Sequence, residues 1–495
     1  MTNFHSSGLR QKVDQLMDIL WAGGVNNPMD SIEQISYLLF LRLLTERDEQ
    51  LAELNKNKKD FKRIFSGKWT RFAWGNFVTL TGDPLFDAAR EAIESLHELP
   101  DLSSTGKLLF NRATLKIYDR PTLRAVIQSI HQMDLAAHNG EDLKGDMYEY
   151  LLSKISMSGT NGQFRTPRHI ISMIAALVDP KPGLRICDPA CGTAGFLIAA
   201  FQHILKNNTS KAALAKGEPT GDLLKPAQWK FLEEQAFTGC DNDANMVKIG
   251  ILNLYLHRLE KANIELHNPL TTGKGGSYPG LLYDVILANP PFSGKVQAES
   301  ILTDLNHKLN TRATELLFLK WFVDHLTLGG RAGVIVPNGV LFGSTSAART
   351  IRRRLLDECD LQAVITMPAG VFKPYAGAAT AVLVFQKGGQ TKSVWFYEMS
   401  ADGFSLTDTR TPVEENDIPE ILQKWPGREE GSRSFNVSRA ELARHGDELT
   451  PGRYREQQLQ AINHDSPTKI IEGVLRIEQR IVDRLNSLQK ELTRK

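Results

Sequence analysis

Residues 9–152 carry apolar side chains at spacings of three and four positions. The runs LRQKVDQLMDILW and IEQISYLLFLRLLTERDEQL show this spacing, which lines one face of an α-helix with apolar side chains. No run in this part alternates convincingly between apolar and polar residues, as a half-buried strand does. The pattern therefore predicts an N-terminal helical domain, which we assign to residues 1–152.

Beyond residue 159, short β-rich runs alternate with amphipathic segments. The β-rich runs are LRIC, AFTGC, ANIELH, YDVILAN, RAGVIVP and LQAVITM. This alternation is typical of a parallel sheet covered by helices on both faces. Two further runs, TAVLVFQK and SVWFYEM, flank KGGQTK, and the Gly-Gly pair predicts an antiparallel hairpin between them. We assign residues 153–410 to this α/β domain.

The last part of the chain is polar and irregular until a final helix. Ser466 followed by Pro467 signals a helix start, with serine as the cap and proline in the first turn. An apolar stripe follows at steps of three and four: Ile470, Val474, Ile477, Ile481, Leu485, Leu488 and Leu492. Such a helix either lies on its own domain or is offered to a partner subunit. Residues 411–495 are predicted to be a linker and a C-terminal helix for subunit assembly.

The composition fits a globular protein of several domains. Its 495 residues exceed one ordinary domain, so two to four are expected. With 41% hydrophobic and 23% charged residues, a disordered or fibrous chain is excluded. The net charge of +2 argues against a strongly basic nucleic-acid binder. Any contact with phosphate must be local or shared with a partner.

Cysteine usage and the ends of the chain bear on location. The four cysteines, Cys187, Cys191, Cys240 and Cys359, form no CxxC pair, so neither zinc nor another metal is expected. Residues 1–14 lack the basic-then-apolar order of a signal peptide, and no stretch approaches the roughly 18 apolar residues of a membrane span. We expect a cytoplasmic protein that does not associate with a membrane.

The segment RICDPACGTAGF predicts a strand, a tight turn and a helix. The strand runs into Asp188, and Gly192, Thr193 and Gly195 precede a helix that starts at Phe196. Such a turn brings backbone N–H groups close to a ligand, with a carboxylate at the strand end. The spacing is neither GxGxxG nor a P-loop. The alternative is a strand-to-helix turn without a ligand.

The segment AFTGCDNDANMVKIGILNL places a second acidic residue at a strand end. Asp241 follows the strand and precedes a helix, where its two carboxylate oxygens can accept both hydroxyls of a ribose. Asp243 is a candidate N-cap of that helix.

The segment YDVILANPPFSGK ends a buried strand in Asn289, Pro290, Pro291 and Phe292. Consecutive prolines stiffen the backbone and remove two N–H donors, which leaves carbonyl oxygens next to the Asn289 amide oxygen. Two acceptors at one point suit an exocyclic amine with two hydrogens. Phe292 offers a face on which a planar base can stack.

These motifs together resemble a known family. DPACGTAGF, GCD and NPPF resemble the S-adenosylmethionine-dependent amino-methyltransferases that modify the N6 of adenine in DNA. NGQFRTPRHII, GDMYEYLL, LGGRAGVIVPNGVLF, MPAGVFKPYAGAATAVLVF and ELTPGRY are similar to the modification subunits of type I restriction–modification systems. The resemblance covers nearly the whole chain. It implies a Rossmann-like methyltransferase sheet with an N-terminal helical domain and a C-terminal helical tail.

The resemblance also implies roles for individual residues. The methionine end of S-adenosylmethionine would be bordered by Gln163, Phe164, Thr166 and Pro167, its body would lie on Asp188, Gly192, Thr193 and Gly195, and Asp241 would hold its ribose. Asn289, Pro290 and Phe292 would bind a flipped-out adenine. Phe372 is a second candidate stacking ring or else a core aromatic. The chain departs from the family at Arg165, where an aromatic residue is common, and at Asn268, where an aspartate is common.

The implied partners are a specificity subunit, a second copy of the chain, a restriction and translocation subunit, and duplex DNA. The alternatives are methylation of RNA or of a protein glutamine, or a scaffold that binds cofactor for assembly. A basic cluster in the segment after VIVPNGVLF is either part of a DNA-facing surface or a solvated helix face. It consists of Arg349, Arg352, Arg353 and Arg354.

Overall fold

The computed structural model describes residues 4–56, 61–99, 102–133, 147–148, 150–152, 154, 166–217, 219–271, 281–292, 294–307, 309–373, 377–455 and 467–492. The chain divides into two compact units, Met1–Pro451 and Gly452–Lys495. None of the helices within these ranges is long and apolar enough to cross a membrane. The domain boundaries drawn from the sequence stay predictions.

The N-terminal region is helical, as its hydrophobic spacing predicted. Its helices are α1 (Phe4–Ala22), α2 (Pro28–Leu54), α3 (Trp74–Thr79), α4 (Gly82–Ser95), α5 (Ser104–Leu109) and α6 (Arg120–His131), with 3₁₀ turns at Gly67–Phe72 and Leu96–Glu98. Two starts are capped by side chains: Asn27 accepts from the Met29 amide at 2.9 Å, and Asp119 accepts from the Thr122 amide at 2.9 Å. Both helices carry a proline in the first turn, where its missing N–H is not needed.

The remainder of the first unit alternates strands and helices. The strands are β1 (Ile186–Asp188), β2 (Phe237–Asp241), β3 (Asn263–Leu266), β4 (Tyr283–Ala288), β5 (Leu326–Pro337), β6 (Cys359–Met367), β7 (Thr380–Lys387), β8 (Ser393–Glu398), β9 (Asp402–Phe404), β10 (Pro412–Asn416) and β11 (Ser434–Ser438). The helices are α7 (Arg168–Val178), α8 (Gly195–Asn207), α9 (Lys211–Ala215), α10 (Pro226–Glu234), α11 (Ala244–Leu256), α12 (Thr303–Asn306), α13 (Thr314–His325), α14 (Gly339–Phe342), α15 (Ser346–Asp357), α16 (Ile418–Lys424) and α17 (Arg439–Arg444), with 3₁₀ turns at Ala298–Ser300 and Pro451–Arg453.

Nine of these strands form one mostly parallel sheet in the order β11-β8-β6-β7-β5-β4-β1-β2-β3. Within this order, the adjacent strands β5, β4, β1, β2 and β3 are all parallel. Strand β7 runs antiparallel to both β5 and β6. Residues 285–288 of β4 are completely buried, because helices cover both faces of the sheet. The sheet therefore confirms the predicted α/β class.

The predicted hairpin between TAVLVFQK and SVWFYEM is wrong. Strand β7 inserts between β5 and β6 and uses both of its edges there, so β8 lies on the far side of β6 and runs parallel to it. The Gly-Gly pair turns the chain, but it does not join two adjacent strands. The sheet also continues beyond β8, because β11 pairs antiparallel with β8 in a region that the sequence indicated to be irregular.

Helix α11 joins the N-terminal helices to the nine-stranded sheet. The Lys248 ammonium donates to Glu33 at 2.9 Å and to the Tyr37 hydroxyl at 2.8 Å. The Phe40 and Tyr255 rings lie 4.5 Å apart. These side chains come from α2 and α11, so the two regions share one packed interface.

The second compact unit contains the terminal helix α18 (Pro467–Leu492). Pro467 lies in its first turn, as predicted, whereas the predicted cap Ser466 lies outside the described residues. Its apolar side chains are exposed over a broad face: Ile471, Leu475, Ile477, Ile481, Val482 and Leu485 are 47–60% exposed.

Candidate active site

Three polar side chains meet at the carboxyl edge of the parallel sheet. Asp188 ends β1, Asp241 ends β2, and Asn289 directly follows β4. Strand β1 pairs with β2 on one side and with β4 on the other, so the strand order reverses between β1 and β4. Ligands of open α/β sheets bind in the crevice at such a reversal, outside the carboxyl ends of the strands. The structure thus brings these three predicted residues to one edge.

The turn after β1 has the geometry of a ligand cradle. Gly192 has φ of 49° and Ala194 has φ of 62°, and α8 begins at Gly195. The Cys191 amide donates to the Cys240 carbonyl at 2.9 Å, and the Ala194 amide donates to the Cys191 carbonyl at 2.7 Å. A Cβ atom placed on Gly192 would meet nothing within 4 Å. The left-handed backbone favours glycine there, and the space above it is open to a ligand.

Asp188 is buried at the bottom of this turn. The residue is 1% exposed, and its Oδ1 accepts from the Ala190 amide at 3.1 Å. Burial, together with the nearby charge of Asp241, raises the pKa of this carboxyl group to about 8, although the hydrogen bond from the Ala190 amide opposes the shift. A carboxyl group with this pKa keeps its proton at neutral pH.

Asp241 is partly buried beside the turn. Its Oδ2 accepts from the Gly192 amide at 3.0 Å, and its Oδ1 accepts from the Asp243 amide at 2.9 Å. Burial raises the pKa of Asp241 although these backbone hydrogen bonds oppose the shift. Each oxygen retains acceptor capacity for a ligand hydroxyl. The Asp243 side chain accepts from the Asn245 amide at 2.8 Å, so its predicted role as the cap of α11 is confirmed.

Two residues of α11 that the sequence did not single out, Asn253 and Gly250, contact the turn after β1. The Asn253 amide nitrogen donates to the Thr193 carbonyl at 2.8 Å. A Cβ atom on Gly250 would come within 2.8 Å of the Gly192 carbonyl oxygen, so only glycine lets the helix approach this closely. A glycine in the middle of the apolar run NMVKIGILNLYL was the available signal, because such a glycine often marks a close backbone approach.

The nitrogen and the oxygen of the Asn289 side-chain amide differ in their hydrogen bonding. Its Nδ2 donates to the Thr166 hydroxyl oxygen at 2.8 Å. Its Oδ1 is buried and has no hydrogen-bond partner among the described residues. A buried acceptor without a partner costs free energy, and at a crevice it can be satisfied by a donor on a ligand.

Phe292, three residues after Asn289, contacts the ring of Phe372. Phe292 and Phe372 are perpendicular, with centroids 6.1 Å apart. Phe372 is 1% exposed and belongs to the hydrophobic core, whereas Phe292 is partly buried. Phe372 therefore packs on the edge of Phe292 in this structure.

Other predicted residues are placed as follows. Gln163, Phe164 and Arg165 lie outside the described residues. Pro167 immediately precedes α7. The Asn268 Oδ1 accepts from the Leu270 amide at 3.1 Å, which closes a local turn after β3.

The arginine cluster on α15 does not form one open basic face. Arg352 is 3% exposed and donates to the carbonyls of Val340 and Gly343 at 3.0 Å. Arg354 pairs with Asp324 at 2.8 Å. Both side chains are used inside the fold, and Arg349 and Arg353 are the exposed members of the cluster.

Known proteins resemble this chain over most of its length. The family model for the N-6 DNA methylases matches residues 139–462, and the model for the HsdM N-terminal domain matches residues 9–130. The methylase subunit of the Escherichia coli type I restriction enzyme EcoEI is 30% identical over 86% of each chain. The EcoKI methylase subunit of Escherichia coli K12 is 28% identical over 89% of this chain and 81% of its own length.

Solved structures of type I restriction–modification proteins are also similar to this chain. A modification subunit assigned to a type I restriction enzyme of Vibrio vulnificus YJ016 superimposes with a TM-score of 0.71 at 25% identity, over 88% of this chain and 93% of its own. A chain from a study of complex assembly in the type I restriction–modification system gives 0.69 at 25% identity, over 99% of both chains. This chain belongs to the N-6 DNA methylase family, among the methylase subunits of type I restriction enzymes, and its activity is the methylation of DNA adenine at N6.

Proposed function

We propose that this chain transfers a methyl group from S-adenosylmethionine to the N6 of an adenine flipped out of duplex DNA. The observation that carries the proposal is the Asn289 amide, whose buried oxygen lacks a partner at the carboxyl edge of the sheet. Adenine N6 carries two hydrogens, and each needs an acceptor.

The cradle fits the proposed cofactor. Gly192 leaves open space above a left-handed turn, and Asp241 keeps acceptor capacity for ribose hydroxyls. We propose that the cofactor is held by Gln163, Phe164, Thr166, Pro167, Asp188, Gly192, Thr193, Gly195 and Asp241. S-adenosylmethionine supplies an electrophilic methyl group on a sulfonium, and the residues of this chain align it with the base.

The chain's own residues act chiefly by positioning the amine. The Asn289 oxygen and the Pro290 carbonyl accept the two N–H bonds of N6, which favours a lone pair localised on nitrogen. An in-line transfer then depends on alignment and on exclusion of water. A neutral amide is too weak a base to remove the proton first, so the methylated nitrogen would pass its proton to water after the transfer.

The two rings are proposed to hold the flipped base. A base cannot react within the duplex stack, and unstacking it costs a few kcal/mol. Stacking on Phe292 offsets part of this cost. Because Phe372 meets Phe292 edge-on, we propose that Phe372 fixes the plane of Phe292, and that Phe372 stacks on the base itself only if the pair opens.

We further propose that other subunits select the DNA site. The net charge of +2 is too small for tight autonomous binding to the phosphate backbone. The relatives are named as subunits of type I restriction enzymes. The proposed partners are a specificity subunit, a second copy of this chain, and a restriction and translocation subunit.

The test uses purified chain, tritiated S-adenosylmethionine and duplex DNA, with and without the specificity subunit. Label should reach adenine N6 only when both proteins are present. Asn289→Ala should abolish transfer while calorimetry shows nearly unchanged cofactor affinity. Asn208→Ala is the matched control, because the side-chain Nδ2 of Asn208 donates to the Ile204 carbonyl of its own helix end at 2.8 Å. Label on RNA or protein, or full transfer by Asn289→Ala, would contradict the proposal.

A further inference from the structure

The hydrogen bond between Asn289 and Thr166 joins the end of β4 to the residue just before α7. The two residues are 123 positions apart, and their side chains meet at 2.8 Å. Thr166 is 8% exposed. The Thr166 end of this bond is therefore largely shielded from water, and the bond as a whole is partly buried.

The bond bears on which end of the amide faces the crevice. A terminal amide is roughly two-fold about its last torsion, and only one of its two ends is an acceptor. The oxygen must face an amine, which directs the NH₂ group toward Thr166. A hydroxyl oxygen there accepts from that NH₂, and without it a buried donor would lose its partner.

We propose that Thr166 is a positioning residue for methyl transfer, whose hydroxyl holds the Asn289 amide with its oxygen toward the target amine. This inference rests on the proposed function of Asn289. In this proposal the Thr166 side chain bonds to the Asn289 amide, and the Thr166 backbone borders the cofactor.

The first turn of α7 is anchored on its other side, which holds Thr166 in place. His169 Nε2 lies 2.8 Å from Asp402 Oδ2. The His169 ring stacks on Phe404 with centroids 4.6 Å apart and an angle of 19°. Arg410 also pairs with Asp402, and Asp402 is 1% exposed. The strand β9, far along the chain, thus braces the helix start that carries Thr166.

The experiment compares Thr166→Val and Thr166→Ser in the complex with the specificity subunit. Valine keeps the volume and removes the hydroxyl, whereas serine keeps the hydroxyl. Loss of one hydrogen bond of ordinary strength changes a rate on the order of tenfold. We expect kcat of Thr166→Val to fall about tenfold or more, with cofactor affinity unchanged in calorimetry, and Thr166→Ser to restore most of the rate.

A second experiment measures whether the target base flips out of the duplex. Duplex with 2-aminopurine at the target position reports flipping by fluorescence, and Thr166→Val should retain the signal because Phe292 is intact. Thr105→Val is the matched control: Thr105 is also buried, but its hydroxyl bonds to the Ala262 carbonyl at 2.8 Å, away from the crevice. It should lower stability without changing kcat. If Thr166→Val fails to fold, Thr166→Ala gives the same comparison with serine.

The outcomes separate the two proposals. Unchanged kcat in Thr166→Val, or a serine variant as slow as valine, overturns the positioning role. Lost cofactor affinity with normal kcat would instead assign the hydroxyl to the cofactor. Full activity of Asn289→Ala would overturn the proposed function itself, whatever Thr166 does.

Discussion

Asp188 is a carboxyl group held where its charge is disfavoured. Burial, with Asp241 nearby, raises its pKa from 3.8 to about 8. Between these two pH values the folded chain keeps a proton that the unfolded chain releases. Because the native state binds more protons there, its stability falls as the pH rises from about 4 to 8.

Asp188→Asn should remove this contribution to the pH dependence. The amide has nearly the same shape and does not titrate, so the fall in Tm between pH 5 and pH 8 should be smaller than in the unaltered chain. Thermal unfolding at several pH values measures the difference. Asp222→Asn is the control. Hydrogen bonds from Ser210 lower the pKa of that exposed carboxylate, so it does not titrate between pH 5 and pH 8. An equally steep fall in Asp188→Asn would show that the proton resides elsewhere.

At this scale the sequence predicted where single residues lie but not which residues contact each other. Asp188, Asp241 and Asn289 could be placed because each ends an apolar run that had to be a buried strand. The bond from Asn289 to Thr166 could not be predicted, since it depends on how α7 lies against β4. Phe372 shows the same limit: its residue type suits stacking, but only packing decides that it is 1% exposed.

At the scale of elements, the backbone of α11 approaches the turn after β1 closely at Gly250. Gly250→Ala would place a methyl group 2.8 Å from the Gly192 carbonyl oxygen, and backbone on both sides must then shift. Overpacking of this kind costs ~1–3 kcal/mol. We expect a lower free energy of unfolding in urea and cofactor affinity reduced by about tenfold.

Gly75→Ala provides the matched comparison for Gly250→Ala. Gly75 lies in helix α3, and a Cβ atom there would meet nothing within 4 Å. Alanine is the better helix former by ~0.5–1 kcal/mol, so this variant should be neutral or slightly stabilised. Equal effects of the two substitutions would mean that the approach of α11 to the turn is not tight.

Strand positions were predicted better than strand partners. The β-rich runs identify β1 to β8. Strands such as β4 and β7 are buried on both faces and must be apolar, whereas the edge strand β3 is buried only at Ile264. Nothing local says that β7 inserts between β5 and β6, so the hairpin prediction failed. Strand β11, with the sequence SFNVS, was missed because a short edge strand with polar residues resembles a loop.

At the scale of the whole molecule, charge and apolar surface both point to dependence on partners. The net charge is +2, and two arginines of the predicted basic cluster are used inside the fold. The exposed apolar face of α18 remains the clearest candidate for subunit assembly, which stays a prediction.

Replacing Ile477 and Ile481 together by serine should weaken assembly with the specificity subunit. Both side chains are more than half exposed, and full burial of each against a partner contributes ~1.5–3 kcal/mol. The dissociation constant should rise at least about tenfold, as measured by gel filtration and titration calorimetry. Arg476→Ser with Arg480→Ser makes a matched change on the polar face of the helix and should leave the complex intact. Equal binding by both double variants would exclude the stripe as an interface.

Helix α11 restricts how relatives of this chain can exchange parts. One of its faces packs on α2 through Lys248 and Tyr255, and another packs on the turn after β1 through Gly250 and Asn253. A chimaera that joined foreign N-terminal helices to this sheet would set a mismatched surface against α11. Such chimaeras should fold only when the residues of α11 that contact α2 come from the same parent as the N-terminal helices. The two sides of this interface must therefore be exchanged together, although they lie far apart in the sequence.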